Sequence, residues 1–588
     1  MIKNLSKYIA EYKKYVYLVP ILVFLDVLCE LSMPLLMARI VDLGIPGKDV
    51  TFITRIGIYM ILLALGAILF GVLNMYYTTR VSMGFGANLR NALFEKVQAF
   101  SFNNIDRFST ASLITRLTND VNNVQMTLMM ALRMLLRAPM MLIVAFFMAY
   151  NINAELSIVL AVAIPLLALG IIAIIRVAVK LFSVMQEKID AVNNTLQENL
   201  IGIRVVKSFV RADFEISKFK KSNDDLTEAG IKAVNIAILN MPLMILVMNG
   251  ATLAIIWLGG RMVYFGTMGA GELVSFLSYI FQILFSVMMI SMVILMSARA
   301  EASGKRIVEV LDTEIDIKDK PLALPEPGEK STAPVEVRRG KVEFRDVAFK
   351  YDRTGSGENV LCGIDFTVEP GEVVGIVGGT GTGKSTLVNL IPRLYDVSEG
   401  AVLVDDVDVR DYPLEVLREQ IGVVLQKNTL FSGTIRDNLL WGNPNATQEE
   451  IETACRDAQA HDFITSFPKG YDTEMGQGGV NVSGGQKQRL TIARAMLKKP
   501  KILILDDSTS AVDTATEAKI RNSFYQSLAQ TTVFIIAQRI SSVREADKII
   551  VLDDGKVVGI GTHAELISNN SIYQEINASQ QEGVFANG

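Results

Sequence analysis

Cysteine and histidine are scarce, three and two in 588 residues. Cys29, Cys362 and Cys455 stand alone, with neither a CxxC pair nor metal-site spacing. That excludes a disulfide framework and a zinc module, and leaves reduced thiols on a chain facing the cytosol. His461 and His563 restrict imidazole chemistry to two positions. An excess of positive charge is missing as well: at a net charge of −4 the chain has no basic footprint for nucleic acid, and that class of partner is excluded. No cleavable leader is visible, because the first apolar run is long and lacks a small-residue cleavage site. Membrane insertion is therefore expected to come from the spans themselves.

Long apolar runs are plentiful, and nearly all precede about residue 300. Crossing a bilayer takes about 20 helical residues, and six runs meet that length, roughly at 16–41, 56–79, 127–150, 156–180, 234–263 and 272–297. The gaps 42–55, 151–155 and 264–271 are short, with Lys48 and Arg55 as their basic residues. The gaps 80–126 and 181–233 are long and basic, and the N-terminus adds Lys3, Lys7, Lys13 and Lys14. Basic residues mark the cytoplasmic face, so the N-terminus, both long gaps and the C-terminal part are expected inside. Each long gap keeps helical periodicity; as an out-and-back excursion it reaches roughly 35–40 Å from the membrane, with tips at 106–112 and 211–219 that suit docking onto a soluble domain. Ile2, Leu5, Ile9 and Tyr12 share one face, which predicts a short helix lying on the inner membrane surface, a frayed tail being the alternative.

The chain thus reads as a six-helix, all-α membrane domain over 1–312, a linker over 313–336 marked by Pro321, Pro325, Pro327 and Pro334, and an α/β domain over 337–580. In the last, the strand VVGIV is followed by Gly378, Gly379, Thr380, Gly381, Thr382, Gly383, Lys384 and Ser385, then Thr386. This is GxxxxGK[ST] in its strand–loop–helix setting: glycines let backbone N–H groups wrap phosphates, Lys384 neutralises the β- and γ-phosphates, and Ser385 holds Mg²⁺. A second apolar strand, KILILD, ends on Asp506, placed to order the same ion.

Between the two, Val482, Ser483, Gly484, Gly485 and Gln486 open a basic helix. Here the chain resembles the ATP-binding cassette transporters of exporter type, a type I exporter in one nomenclature and a type IV fold in another, and the resemblance covers essentially the whole chain. It implies that Ser483 to Gln486 are the signature (with Val482 in place of the usual leucine), that Tyr351 stacks on adenine, and that Gln426 links Mg²⁺ to the membrane domain. It further implies that Ser510 and Asp513 belong to a loop crossing the dimer interface and that residues 473–479 form a loop near the docking helices. The cofactors implied are ATP and Mg²⁺. Cassettes of this family close head-to-tail, each ATP lying between one chain's phosphate loop and the other's signature. One cassette and six spans therefore imply a half-transporter needing a second subunit, in the cytoplasmic membrane of a bacterium.

Two positions depart from the family pattern. A glutamate usually follows the aspartate of the second strand; here it is Asp507, whose carboxylate is drawn back by about 1.5 Å, and a misplacement of about 1 Å can cost roughly 100-fold in rate. The histidine usually found after the strand TTVFIIA is replaced by Gln538, which can donate a hydrogen bond but carries no charge. Lys384, Asp507 and Gln538 are thus the catalytic set of an impaired site, while the signature is intact. That asymmetry resembles the degenerate-site subunit of heterodimeric bacterial multidrug exporters and leads to the expectation of ATP-driven efflux of hydrophobic or amphiphilic compounds. A lipid flippase, a peptide exporter, and a slow homodimeric or regulatory ATP-binding subunit remain as alternatives. Asp26 and Glu30 lie inside the first span, where acids are costly and tend to mark function; either they meet substrate or they pair. Arg133 and Arg137 are read as anchoring or pairing residues of the third span. Met129, Met130, Met134, Met140, Met141, Met148, Met244, Met248, Met288, Met289, Met292 and Met296 supply flexible thioethers for packing or for a broad substrate surface.

Overall fold

The computed structural model of the protein describes residues 5–319, 336–351, 359–507 and 512–585, with the side chains of 291–299, 514 and 581–585 left aside. Ile2, Lys3, the linker prolines Pro321, Pro325, Pro327 and Pro334, Ser510, and the side chains of Met292 and Met296 lie outside the described residues. The chain divides into two compact units, Met1–Gln98 with Ser109–Thr313, and Ala99–Phe108 with Glu314–Gly588.

Among the described residues the first unit has six long helical segments, α1 (Lys7–Gly44), α2 (Val50–Gln98), α3 (Thr110–Ile152), α4 (Ala154–Ile201), α5 (Ala212–Tyr264) and α6 (Ala270–Asp312), each carrying a stretch apolar enough to cross a membrane, with a short helix, Ile203–Ser208, between α4 and α5. At 49 and 48 residues, α2 and α4 are about 70 Å long, more than twice the ~30 Å hydrocarbon core. The excess is the pair of excursions that the basic gaps foretold. Val19, Val23, Val27 and Leu31 recur every fourth residue on α1 and are buried, as are Phe276, Ile280 and Ile283 on α6. Tyr279 is buried among them because its hydroxyl donates to the Leu31 carbonyl at 2.6 Å, sparing an unpaired phenol.

The expected amphipathic helix at the N-terminus is corrected. Residues Lys7–Tyr12 form a 3-10 segment broken at Ala10 (φ 42°), Leu5 is buried, and Asn88 on α2 donates to the Tyr8 carbonyl. The Tyr12 ring takes the space beside Gly84, where a Cβ would come within 2.2 Å. Packing on α2 thus takes up the Tyr12 ring, one of the side chains that the sequence assigned to the membrane surface. In α3 a π turn over Ala131–Leu135 precedes Pro139, whose missing N–H leaves the Leu135 carbonyl without its ordinary partner.

On the first excursion, Asp120 is buried on α3 and clasped by the Arg306 guanidinium of α6 at 2.8 and 2.5 Å. Burial alone would raise this carboxyl; the hydrogen bonds and charges of Arg306 and Arg116 outweigh it and hold it below the usual range. A depressed folded value contributes stability that is complete above the unfolded value, near 3.9, and that is lost as pH falls through the folded one. Arg306→Ala strands the carboxylate. Because Arg306 is itself half-exposed, we expect a cost of about 2 kcal/mol, below that of a fully buried pair. The melting temperature should fall at neutral pH, the deficit should shrink as acid protonates the stranded carboxyl, and Asp120→Asn added to Arg306→Ala should recover most of the loss in a thermal scan of the solubilised protein.

Among the described residues the second unit is built on three sheets. Strands β1 (Val342–Phe349), β2 (Leu361–Val368), β4 (Glu399–Val404) and β5 (Val407–Asp408) form an antiparallel sheet in the order β2-β1-β4-β5. Strands β3 (Val373–Gly378), β6 (Ile421–Val424), β9 (Ile502–Asp506), β10 (Thr532–Ile536), β11 (Lys548–Asp553) and β12 (Lys556–Gly561) form the central sheet β12-β11-β3-β10-β9-β6, parallel except for β12. A small ribbon pairs β7 (Gly433–Thr434) with β8 (Glu474–Met475). Near-continuous apolar strands such as β9 and β10 are buried throughout, as a parallel sheet covered on both faces requires. Apolar clusters fill both sides of the sheet. Strands β3, β9 and β10 run in the same direction, so the loops that follow them emerge together at one sheet edge, where α/β folds bind ligands.

Candidate active site

That edge carries the phosphate loop. Gly378 leaves β3 where a Cβ would sit 2.2 Å from the Leu552 carbonyl oxygen, and Gly383 takes φ 90° just before helix α7 (Lys384–Asn389). A side chain at either position would clash or strain the turn that aims the loop's N–H groups inward. The cavity so formed has a volume of about 660 Å³ and is lined by every residue from Gly378 to Thr386, with Tyr351, Gln426, Asp506, Asp507 and Gln538. The structure therefore brings together the expected phosphate-loop, ion-ordering and catalytic residues.

Lys384 reaches back across the loop and donates to the Gly378 and Gly379 carbonyls at 2.9 and 2.5 Å. Burial pushes its ammonium down from the ordinary lysine value, with Asp506 and Asp507 partly offsetting. An anion supplied by a ligand would restore what burial takes away. Ser385 donates to Asp506 at 2.9 Å, and Gln426 hydrogen-bonds Asp507. Hydroxyl, carboxylate and amide oxygens at one spot form the hard donor set that suits Mg²⁺. Burial raises the carboxyls of both Asp506 and Asp507. Asp507 sits in the left-handed region (φ 46°) and its carboxylate accepts from Gln538 Nε2 at 2.9 Å.

Tyr351 projects its ring edge-on to Phe349 and Tyr395, at 4.9 and 5.3 Å between centroids, while its hydroxyl meets Thr386 at 2.7 Å. Tyr395, which the sequence reading did not single out, donates to Asp106 at 2.6 Å and packs edge-on against Phe102. The short helix Phe102–Arg107 is fixed by a capping box between Ser101 and Asn104, and Asn103 donates to Asp316 at 2.8 Å. Docking through Ser101 to Asp106 corrects the first tip, expected at 106–112, by a few residues toward the N-terminus. At the second tip, expected at 211–219, Phe214 and Ile216 are exposed, as are Phe209 and Val210 just before it.

Ser483, Gly484, Gly485 and Gln486 do not line this cavity among the described residues. They open helix α8 (Gly484–Leu497), where Ser483 caps the Gln486 N–H and Gln486 caps Ser483 in return. Ser483 and Gly484 are exposed, presenting a helix N-terminus outward. Asp513 caps the next helix by accepting from Thr516 N–H at 2.9 Å. Six further lining residues escaped the sequence reading: Val360 and Ile536, and, on helix α9 (Ser571–Phe585), Glu575, Ile576, Ser579 and Gln580.

The first unit holds a second cavity, of about 450 Å³, lined by Met134, Met141, Met244, Met248 and Met289, by Phe281, Leu284 and Phe285, and by Glu30, Arg133, Arg137 and Gln282. Arg137 answers the question left by the acids of α1: it pairs with Asp26 at 2.9 Å and with Glu30 at shorter range. Asp26 is buried in that pair, whereas Glu30 and Arg133 face the cavity. The Gln282 side-chain Oε1 is buried without a partner among the described residues.

Comparison with known proteins bears on the whole chain. Residues 16–287 match the ABC transporter transmembrane region and residues 361–510 match the ABC transporter domain. YfiB of Bacillus subtilis, an uncharacterized ABC transporter ATP-binding protein, is 41% identical over 95% of both chains. An ATP-dependent lipid A-core flippase of Syntrophus aciditrophicus is 36% identical over 84% of this chain and 80% of its own. The structure of a bacterial Atm1-family ABC exporter with ATP bound superposes with a TM-score of 0.78 at 27% identity, covering 97% of this chain and 99% of the other. With six membrane-capable helices preceding an α/β ATP-binding domain on one polypeptide, this chain belongs to the ABC transporter family as an exporter half-transporter, an ATPase and translocase of type IV fold.

Proposed function

We propose that this chain is the degenerate-site half of a heterodimeric exporter of the bacterial cytoplasmic membrane, moving amphiphilic compounds outward. The observation that carries the reading is the contrast within one cassette. Asp507 and Gln538, short and uncharged where reach and charge are needed, share a cavity, while the signature helix N-terminus is capped and exposed. In this reading the glycine-rich loop and Lys384 hold the phosphates, Ser385, Gln426 and Asp506 hold Mg²⁺, and Tyr351 stacks on adenine. Mg²⁺, when bound, screens the phosphate charge. Asp507 orients water poorly, so this site retains ATP and keeps the subunits together, while Ser483, Gly484, Gly485 and Gln486 complete the hydrolytic site of the second subunit.

The thioether- and phenyl-lined cavity, with one arginine shared by two acids, supports substrates that are mostly apolar with a polar end. A lipid of that description is the second reading, favoured by the flippase named among the relatives. Native mass analysis of the chain, extracted gently from its own membrane, tests the assembly. A second, different chain of similar mass is expected; a dimer of this chain alone overturns the heterodimer.

A further inference from the structure

The loop leaving β10 carries an unusual attachment. Arg539 is extended (φ −103°, ψ 127°), so the Gln538 carbonyl and the Ile540 N–H flank it like the two groups a strand edge offers a neighbour. A side chain meets them both. Gln580 on α9 donates its Nε2–H to the Gln538 carbonyl at 2.7 Å, and its Oε1 accepts from the Ile540 N–H at 2.9 Å. A primary amide is the one side-chain group that offers donor and acceptor side by side in this way. The amide is also held in register. Tyr573, two turns earlier on the same helix face, is fully buried, its hydroxyl meets His563 Nδ1 at 2.7 Å, and its N–H donates to Asn570. Ile572 and Ile576 pack on the core beside it, so α9 docks through apolar contact without needing Gln580.

We propose that Gln580 is a positioning residue of this chain's own ATP site, holding the Gln538 backbone so that the Gln538 side chain meets Asp507 and the γ-phosphate. The inference rests on the reading of Gln538 as the group facing the γ-phosphate. The path is short. Gln580 grips the Gln538 carbonyl, Gln538 donates to Asp507 at 2.9 Å, and Glu575, Ser579 and Gln580 line the same cavity as the phosphate loop. Two backbone hydrogen bonds on either side of one residue fix the direction in which its neighbour's side chain leaves, and displacements of about 1 Å decide phosphate chemistry. The C-terminal helix thus governs how long ATP stays in a site that turns over slowly.

The test uses the assembled transporter in lipid nanodiscs, loaded with radiolabelled ATP, and reads the slow phase of ATP release together with the KM and kcat of turnover. Gln580→Leu, close in volume and unable to make either bond, is expected to speed slow release about tenfold. Gln580→Glu, which keeps the acceptor for Ile540 and loses the donor, should fall between it and the parent. Both are expected to leave the melting temperature within about 2 °C, since apolar contacts hold α9. Gln538→Ala should speed release to a similar degree, and the double variant should release ATP no faster than Gln538→Ala alone. An additive double variant overturns the proposal, as does a Gln580→Leu protein with parental release beside a fast Gln538→Ala protein, an outcome that leaves the reading of Gln538 standing. Parental release in Gln538→Ala overturns that reading and the proposal with it.

Discussion

Replacing Asp507 with glutamate and Gln538 with histidine is expected to raise ATP hydrolysis at this chain's site by about 100-fold. The glutamate returns the methylene whose absence draws the carboxylate back by about a bond length, and a misplacement of that size costs roughly two powers of ten, about 2.7 kcal/mol of barrier. Against it stands the backbone. Asp507 takes φ 46° and fastens its N–H to the Ile536 carbonyl at 3.1 Å; aspartate tolerates the left-handed region better than glutamate, at a difference of about 1 kcal/mol. The gain in reach exceeds the strain. Gln538 must change as well, because its amide ties down the Asp507 carboxylate and offers the γ-phosphate no positive charge. On the proposed heterodimer, the measurement is steady-state phosphate release by the assembled complex with the second subunit's hydrolytic carboxylate neutralised, so that only this site contributes. Turnover that stays at the parental level in the double variant would overturn the account of an impaired base.

How far the sequence discloses this arrangement follows from what each constraint acts on. Bilayer thickness acts on consecutive residues, so the six spans could be read as runs of the right length. Phosphate binding needs glycine at particular turns, so the loop from Gly378 to Ser385 could be read from spacing. The strands β9 and β10 advertise themselves by continuous burial. Contacts between residues far apart in the chain left no such mark. Tyr395 reads as one aromatic among many until Asp106 and Tyr351 are brought to either side of it. Gln580 lies 42 residues beyond Gln538 on a helix with a polar composition, and no local pattern distinguishes it from a solvent-facing glutamine. Asp26 and Glu30 announced themselves as acids inside an apolar span, yet Arg137, more than 100 residues on, decides what they do. The N-terminal segment misled for the converse reason. Its amphipathic spacing is genuine, but the backbone breaks at Ala10, Leu5 is buried, and the Tyr12 ring packs beside Gly84.

The second large effect is expected at the signature. Gly484→Asp should reduce ATP hydrolysis by the assembled exporter by at least about 100-fold, while Asp507→Asn in the parent should leave most of it intact. Gly484 is the first residue of α8, next to the Ser483 cap, exposed and in ordinary helical conformation, so an aspartate there needs no left-handed backbone. An acid in the first turn of a helix is mildly stabilising, by about 0.3–1 kcal/mol, so the variant should melt no lower than the parent. On the proposed assembly, however, its carboxylate puts a like charge where the helix N-terminus would meet the second subunit's phosphate. Losing a single preorganised donor to a developing anion typically costs 10²–10³ in rate, and repulsion adds to that. ATP binding to this chain's own loop, followed by a fluorescent analogue, should be unchanged, since Gly484 lies outside that cavity. Full hydrolysis in Gly484→Asp would mean that this signature completes no working site. Equal collapse of Gly484→Asp and Asp507→Asn would mean two equivalent sites, and the chain would then be half of a symmetric pump.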